Sequence, residues 1–254
     1  MKKKIKMIVS DLDGTLLRTD CSLSEKTIEI LAQCREEGVK VVYATGRGGS
    51  AEIRAPSHYF DGRINMNGAV ARIKNDIVYK KTIPHKAAQP ILIACDKYGL
   101  KTVSELCGMH YSNFDVTKEW PIIKNFKITD FSAHEIDAEK LYMVLKNPDD
   151  VAFIAQYLNN EMYLTVSRDG LVQVMHKDAT KSKALAAVAG HWGIAQSEIA
   201  AFGDDLNDVD MMEYAGFGVA MENAVDEVKK AAKFSCSNND ADGVAEWINK
   251  NVLC

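Results

Sequence analysis

The chain has 254 residues, 47% of them hydrophobic and 26% charged, with a formal net charge of −4. That balance belongs to a folded protein large enough for a full core and a second small domain, and it excludes a disordered chain or a broadly basic nucleic-acid surface. No uncharged apolar run approaches the roughly 18 to 20 residues that span a bilayer, and the apolar stretch after the basic start is only "MIVS", too short for a secretory signal. The six cysteines, Cys21, Cys34, Cys95, Cys107, Cys236 and Cys254, include no C-x-x-C pair and read as reduced, mostly buried thiols. A soluble, cytoplasmic protein acting on small molecules is expected, with no nucleic-acid or membrane partner.

In chain order, "MIVSDLDGTLL" (Met7 to Leu17) runs apolar residues into two aspartates, which predicts a buried strand of a parallel sheet with Asp11 and Asp13 at its carboxyl end. Open α/β sheets bind their ligands at that edge. A solvated Asp-Gly turn is the plain alternative. "CSLSEKTIEILAQCREEGVK" predicts a helix, with Ser22 and Glu25 as a capping box, Ile28, Leu31 and Cys34 at helical spacing, and Gly38 as its stop. Val39 to Ala44 is a β-branched run leading into Thr45, so strand, helix and strand form a βαβ unit. "RINMNGAV" is a third apolar-to-polar edge with its turn at Asn67 and Gly68, followed by a hairpin around Asn75 and Asp76.

From Pro84 to Asp178 the pattern changes to a helix (Ala87 to Tyr98), strands "KTVSEL", "KLYMVLK", "MYLTVS" and "GLVQVM", a helix "DDVAFIAQYL", and a hairpin turn over Ser167 to Gly170. Without βαβ alternation this is an α+β insert. From Lys181 the alternation returns, with helices "KSKALAAVAGHW", "NDVDMMEYA", "AVDEVKKAA" and "DADGVAEWINK" and strands "IAAFGDD" and "GFGVAM". The expected fold is α/β: a Rossmann-like parallel-sheet core made of residues 1–82 and 181–254, and an inserted α+β cap, residues 83–180, placed over the carboxyl edge of the sheet.

"AAFGDDLNDVDMM" repeats the acidic strand end, with Asp204 and Asp205 followed by Asn207 and Asp208 at a helix start. Alone, Asp208 reads as a helix-dipole carboxylate and Asn207 as a helix cap. Two carboxylates about 4 Å apart, however, repel by roughly 4 kcal/mol at an effective dielectric of about 20. Unless a shared proton intervenes, something positive is expected nearby, and two such strand ends could enclose one cation. Hard oxygen ligands without clustered His or Cys favour Mg²⁺, which keeps waters and shares a substrate phosphate. Thr45, the amide of Gly46, Asn67 and the Lys181 ammonium could supply donors to that phosphate.

In order and spacing, "DLDGTL", "ATGR", the lysine opening a helix after the insert and "GDDLND" resemble the four motifs of the haloacid dehalogenase superfamily of aspartate-nucleophile phosphatases. "NMNGA" and "GVAMENAVDEVKKAA" are similar to its Cof-type branch, which carries a large α/β cap. The resemblance covers nearly the whole chain. It implies that Asp11 attacks phosphorus, that Asp13 protonates the leaving oxygen and then activates water, and that Mg²⁺ is held by Asp11, Asp204 and the carbonyl of Asp13. Asp208 would order a bound water or the lysine. Thr45, Gly46, Asn67, Lys181 and Asn207 would face the phosphate and substrate.

The family usually has glycine where Glu222 stands, so a negative charge at the site rim is expected; Asn223 keeps the match. Lys183 competes with Lys181, but two residues apart on a helix they face different sides. Arg47 reads as a pocket-lining residue or an exposed arginine at a helix start, Asp205 and Asp210 as solvated or structural, and His191 as structural. Trp120, Tyr111, Tyr142 and Arg168 fall in the cap, where a substrate ring could meet them or where they simply pack. The expected activity is Mg²⁺-dependent hydrolysis of small phosphomonoesters, sugar phosphates foremost. The alternatives are a phosphotransferase or phosphosugar mutase on the same scaffold and a catalytically silent phosphate-binding module; neither substrate identity nor oligomeric state is legible.

Overall fold

A computed structural model describes residues 5–167 and 170–253. Along the chain, β1 (Met7–Ser10) is followed by α1 (Glu25–Glu36), β2 (Lys40–Ala44), the single turn α2 (Ala51–Arg54), β3 (Gly62–Asn65), β4 (Val70–Ile73) and β5 (Asp76–Lys80). Then come α3 (His85–Lys97), β6 (Lys101–Leu106), β7 (Met109–Ser112), β8 (Phe126–Ile128), β9 (Lys140–Val144), α4 (Asp149–Ala155), β10 (Met162–Val166) and β11 (Leu171–His176). The last stretch holds α5 (Lys181–His191), β12 (Ile199–Gly203), α6 (Val209–Tyr214), β13 (Phe217–Met221), α7 (Asp226–Ala231), β14 (Phe234–Cys236) and α8 (Gly243–Ile248).

Two compact units emerge, one made of Met1–Arg47, Ala51–Lys80 and Thr180–Cys254, the other of Gly48–Ser50 and Lys81–Ala179. The first contains an eight-stranded sheet in the order β14-β13-β12-β1-β2-β3-β4-β5. Pairing is parallel from β14 through β3 and antiparallel across β3, β4 and β5. Every residue of β1 is buried, as an apolar run covered on both faces requires. Because β12, β1, β2 and β3 are parallel neighbours, their carboxyl ends share one edge.

Local chemistry shifts some expected boundaries. Helix α1 is capped by Ser24, whose hydroxyl accepts from the Thr27 amide at 3.0 Å. Ser22 does not cap it, because both its amide and its hydroxyl are bonded to Asp20. At the start of the α6 segment the cap is Asp205, which accepts from the Leu206 amide at 2.8 Å, rather than Asn207. Strands β7, β8 and β14 were not expected from the sequence.

The second unit holds a six-stranded sheet, β10-β11-β9-β6-β7-β8, antiparallel except for the β7–β8 pair. Ile91, Leu92 and Cys95 of α3 and Ile154 of α4 pack with Leu141, Met143, Val172 and Val174 of the sheet as one core. Trp120 meets Tyr142 edge-on at 5.4 Å in a smaller cluster with Val103 and Val116, and Tyr111 packs against His134. Arg168 lies outside the described residues. Of the described cysteines, Cys34 and Cys95 are buried, Cys21 and Cys236 half-buried and Cys107 exposed, so burial among them is less general than expected; Cys254 lies outside the described residues.

Candidate active site

Asp11 is the first residue past β1, and its amide donates to the Phe202 carbonyl of β12 at 2.9 Å, which keeps the two strand ends in step. Asp204 is the first residue past β12. Lys181 opens α5 behind the N-cap Thr180. All three are buried, as is Asp208. The Lys181 Nζ donates to Asp11 Oδ1 at 2.5 Å and to Asp208 Oδ1 at 2.6 Å. Lys183 is exposed, and Lys181 is the lysine that meets the acids.

The other oxygen of Asp208, Oδ2, accepts the amides of Asp204 at 3.0 Å and Asp205 at 3.1 Å. Asp208 thus uses one oxygen to hold the lysine and the other to hold the loop carrying Asp204. Thr15 Oγ1 donates to Asp204 Oδ1 at 2.8 Å. The turn between Asp13 and Thr15 needs Gly14: its φ is +76°, and a Cβ there would lie 2.5 Å from Asp204 Oδ2.

Thr45 follows β2, with its amide on the Ile64 carbonyl at 2.8 Å, and its own carbonyl accepts the Asn67 amide at 3.0 Å. Gly46 lies so close to Asn67 that a Cβ would stand 2.9 Å from Asn67 Oδ1. Asn67 adopts φ 51°, a conformation asparagine tolerates, and its Oδ1 accepts from Asn207 Nδ2 at 2.9 Å. Asn207 therefore orients Asn67. Asp13 is half exposed, and both of its oxygens are held by Arg47, from Nε to Oδ2 and from Nη2 to Oδ1, each at 2.6 Å.

Electrostatics in the cluster are unbalanced. Burial pushes the Asp11 carboxyl well above the usual carboxylate range; Lys181 opposes this, while Asp208 and Asp204 add to it. Burial alone would lower Lys181, but the charges and hydrogen bonds of Asp11 and Asp208 outweigh it and hold the ammonium charged. Three buried carboxylates against one lysine leave negative charge to be met. Carboxylate oxygens of Asp11, Asp204 and Asp208 lie within 4.8 Å of one another. An all-oxygen, buried, net-negative cluster fits a hard divalent ion such as Mg²⁺.

Some expectations change. Glu222 is exposed and accepts from the Asn238 amide at 3.3 Å and from its side chain at 3.4 Å. Its neighbour Asn223 donates to the Gly14 carbonyl at 2.7 Å, bracing the turn beside Asp204. Asp210 accepts the Ser182 amide at 3.0 Å and so fixes the start of α5 next to Lys181. The structural reading of Asp210 fits this contact, whereas the bond of Thr15 to Asp204 and the Arg47 fork on Asp13 were not anticipated from the sequence; a threonine directly after Asp-Gly was a local signal for the first, and the second depends on folding.

A family model described as haloacid dehalogenase-like hydrolase matches residues 8–248. The Bacillus subtilis 5-amino-6-(5-phospho-D-ribitylamino)uracil phosphatase YcsE is 30% identical over 256 residues, covering 98% of this chain and 96% of the relative. A second such phosphatase from that organism, YitU, is 26% identical over 270 residues, 98% of each chain. Among solved structures, a haloacid dehalogenase-like hydrolase from Bacteroides thetaiotaomicron superposes with a TM-score of 0.86 at 25% identity, covering 97% of this chain and 99% of that one. One from B. subtilis gives 0.83 at 26% identity, covering 96% and 99%. The chain belongs to the haloacid dehalogenase-like hydrolases, in their Cof-type phosphatase branch.

Proposed function

We propose that the protein is a Mg²⁺-dependent phosphatase of small phosphomonoesters, sugar phosphates foremost, working through an aspartyl phosphate on Asp11. The carrying observation is the buried Lys181 ammonium bonded to both Asp11 and Asp208, beside Asp204. It holds a carboxylate at a strand end in a fixed orientation next to positive charge, as a nucleophile toward a phosphoryl dianion requires. Bound Mg²⁺, held by the Asp11 and Asp204 carboxylates and the Asp13 carbonyl, would neutralise charge on the phosphoryl oxygens and on the acids themselves.

In the first step an Asp11 oxygen bonds to phosphorus as the bond to the leaving oxygen breaks, and Asp13 gives its proton to that oxygen. In the second, Asp13 takes a proton from water, whose oxygen attacks phosphorus; inorganic phosphate leaves and Asp11 is regenerated. The Arg47 amide donates to Thr45 Oγ1 at 3.1 Å, which leaves the hydroxyl proton to be directed at a phosphoryl oxygen. Asn67, oriented by Asn207, and Lys181 complete the donor set. Residues 83–180 act in this reading as the cap that selects the leaving group.

Two relatives are named for a ribityl phosphate, which supports a polyhydroxylated leaving group. Free thiols at the five described cysteines support a reducing, cytoplasmic setting. The test is phosphate release from sugar phosphates, a phosphoribitylaminouracil, nucleotides and cofactor phosphates, with Mg²⁺ or with chelator, without any acceptor sugar. Release that needs Mg²⁺ and is lost in Asp11→Asn is expected. Turnover retained in Asp11→Asn contradicts the assignment, and transfer only to an added sugar would make the protein a phosphotransferase.

A further inference from the structure

We propose that Arg47 is the positioning residue for the proton donor, its guanidinium fork fixing the Asp13 carboxyl against the loop that follows β2. This rests on the reading of Asp13 as acid and base. An aspartate with a half-exposed side chain samples several rotamers unless something holds it. The two parallel 2.6 Å bonds from Nε and Nη2 define both the place and the plane of the carboxyl group.

Arg47 is itself anchored. Its amide donates to Thr45 Oγ1 at 3.1 Å, and its carbonyl accepts from the Met66 amide at 3.1 Å and from Asn65 Nδ2 at 3.3 Å. The arginine thus starts from a fixed backbone, unlike an arginine on a loose surface loop. Thr45 lies two residues away and shares that hydrogen bond, so the group placed to touch the phosphoryl oxygen and the group holding the acid belong to one rigid loop. The position of the phosphoryl group and that of the proton donor are set together.

The fork holds the carboxyl group in one place and one plane while its proton passes to the leaving oxygen. In the second step that same carboxylate, held in the same plane, takes the proton of the attacking water. An ordinary surface ion pair contributes about 0–1 kcal/mol to stability, so losing Arg47 should affect rate far more than folding.

The experiment compares wild type, Arg47→Ala and Arg47→Lys with Mg²⁺, using a sugar phosphate and p-nitrophenyl phosphate, whose leaving group needs no proton. For the sugar phosphate, Arg47→Ala should lower kcat/KM on the order of 100-fold, within the usual range for general-acid catalysis, with the loss in kcat rather than KM. The loss on p-nitrophenyl phosphate should be about tenfold smaller than that. Lysine, a point charge without a fork, should restore little. Added methylguanidinium should partly rescue Arg47→Ala, and methylammonium should not. Equal losses on both substrates in kcat/KM, which reports the transfer that expels the leaving group, or a loss confined to KM, overturn the inference while leaving the phosphatase reading intact. Absence of turnover by the wild type on either substrate overturns the phosphatase reading and this inference with it.

Discussion

Lys181 is the side chain on which the site's stability and chemistry meet. Taking one member out of a buried set of charges leaves the others uncompensated, at a cost of about 3–5 kcal/mol. Lys181→Met should therefore lose about 3 kcal/mol of unfolding free energy in urea with chelator present; an unchanged value would mean that Asp11 and Asp208 do not depend on it. A second buried group, Glu105, makes a pH-dependent counterpart in the other unit. It sits in a row across three strands between His110 and Lys140. Burial pushes its carboxyl up to about 7, with Lys140 opposing and Glu139 adding, while burial and Lys140 bring His110 down to about 4. Since the folded state holds the Glu105 proton more tightly than the unfolded chain, its stabilising effect is full below about 4.5 and is lost as pH rises toward 7. At 1.36 kcal/mol per unit the loss is on the order of 3 kcal/mol. Glu105→Gln should raise Tm over wild type more at pH 8 than at pH 5, and an equal offset at both would contradict the assignment.

Among elements, the tight turn after β1 governs the site most directly. Leu16 and Leu17 donate amides back to the carbonyls of Asp11 and Leu12, which closes the turn around Gly14. A side chain at φ +76° costs roughly 1–2 kcal/mol, and here its Cβ would also meet the Asp204 carboxylate. Gly14→Ala should raise the Mg²⁺ concentration for half-maximal activity on the order of tenfold while the protein stays folded; an unchanged requirement would detach Gly14 from the metal site. Sequence patterning exposes the long elements well. β1 and β12 are apolar runs of strand length, and α1 carries its apolar residues at helical spacing. It fails on β14, three residues at a sheet edge with Phe234 and Ser235 exposed, and on β7 and β8, whose pairing depends on backbone hydrogen bonds rather than alternation. In the candidate site, Asp11, Asp13 and Asp204 stand at strand ends, so local pattern singles them out as candidates, whereas the preference for Lys181 over Lys183 rests on the resemblance to the family. The Arg47 fork on Asp13 and the Thr15 bond to Asp204 join residues 34 and 189 positions apart and exist only once the sheet has formed.

At the scale of the whole molecule, the acidic cluster draws on both ends of a discontinuous unit, so binding a cation there is coupled to folding. A ligand at 100 times its Kd stabilises by about 2.7 kcal/mol. Tm should rise with Mg²⁺ in the wild type and stay flat in Asp204→Asn; a rise that survives this substitution would place the ion elsewhere. The most direct measurement concerns the covalent step. The protein is mixed with a sugar phosphate carrying labelled phosphorus, quenched in acid within a turnover and mapped by peptide. Label on the peptide bearing Asp11, absent from Asp11→Asn, is the expected result. Label on another residue, or an Asp11→Asn chain that releases phosphate at the wild-type rate, would contradict it.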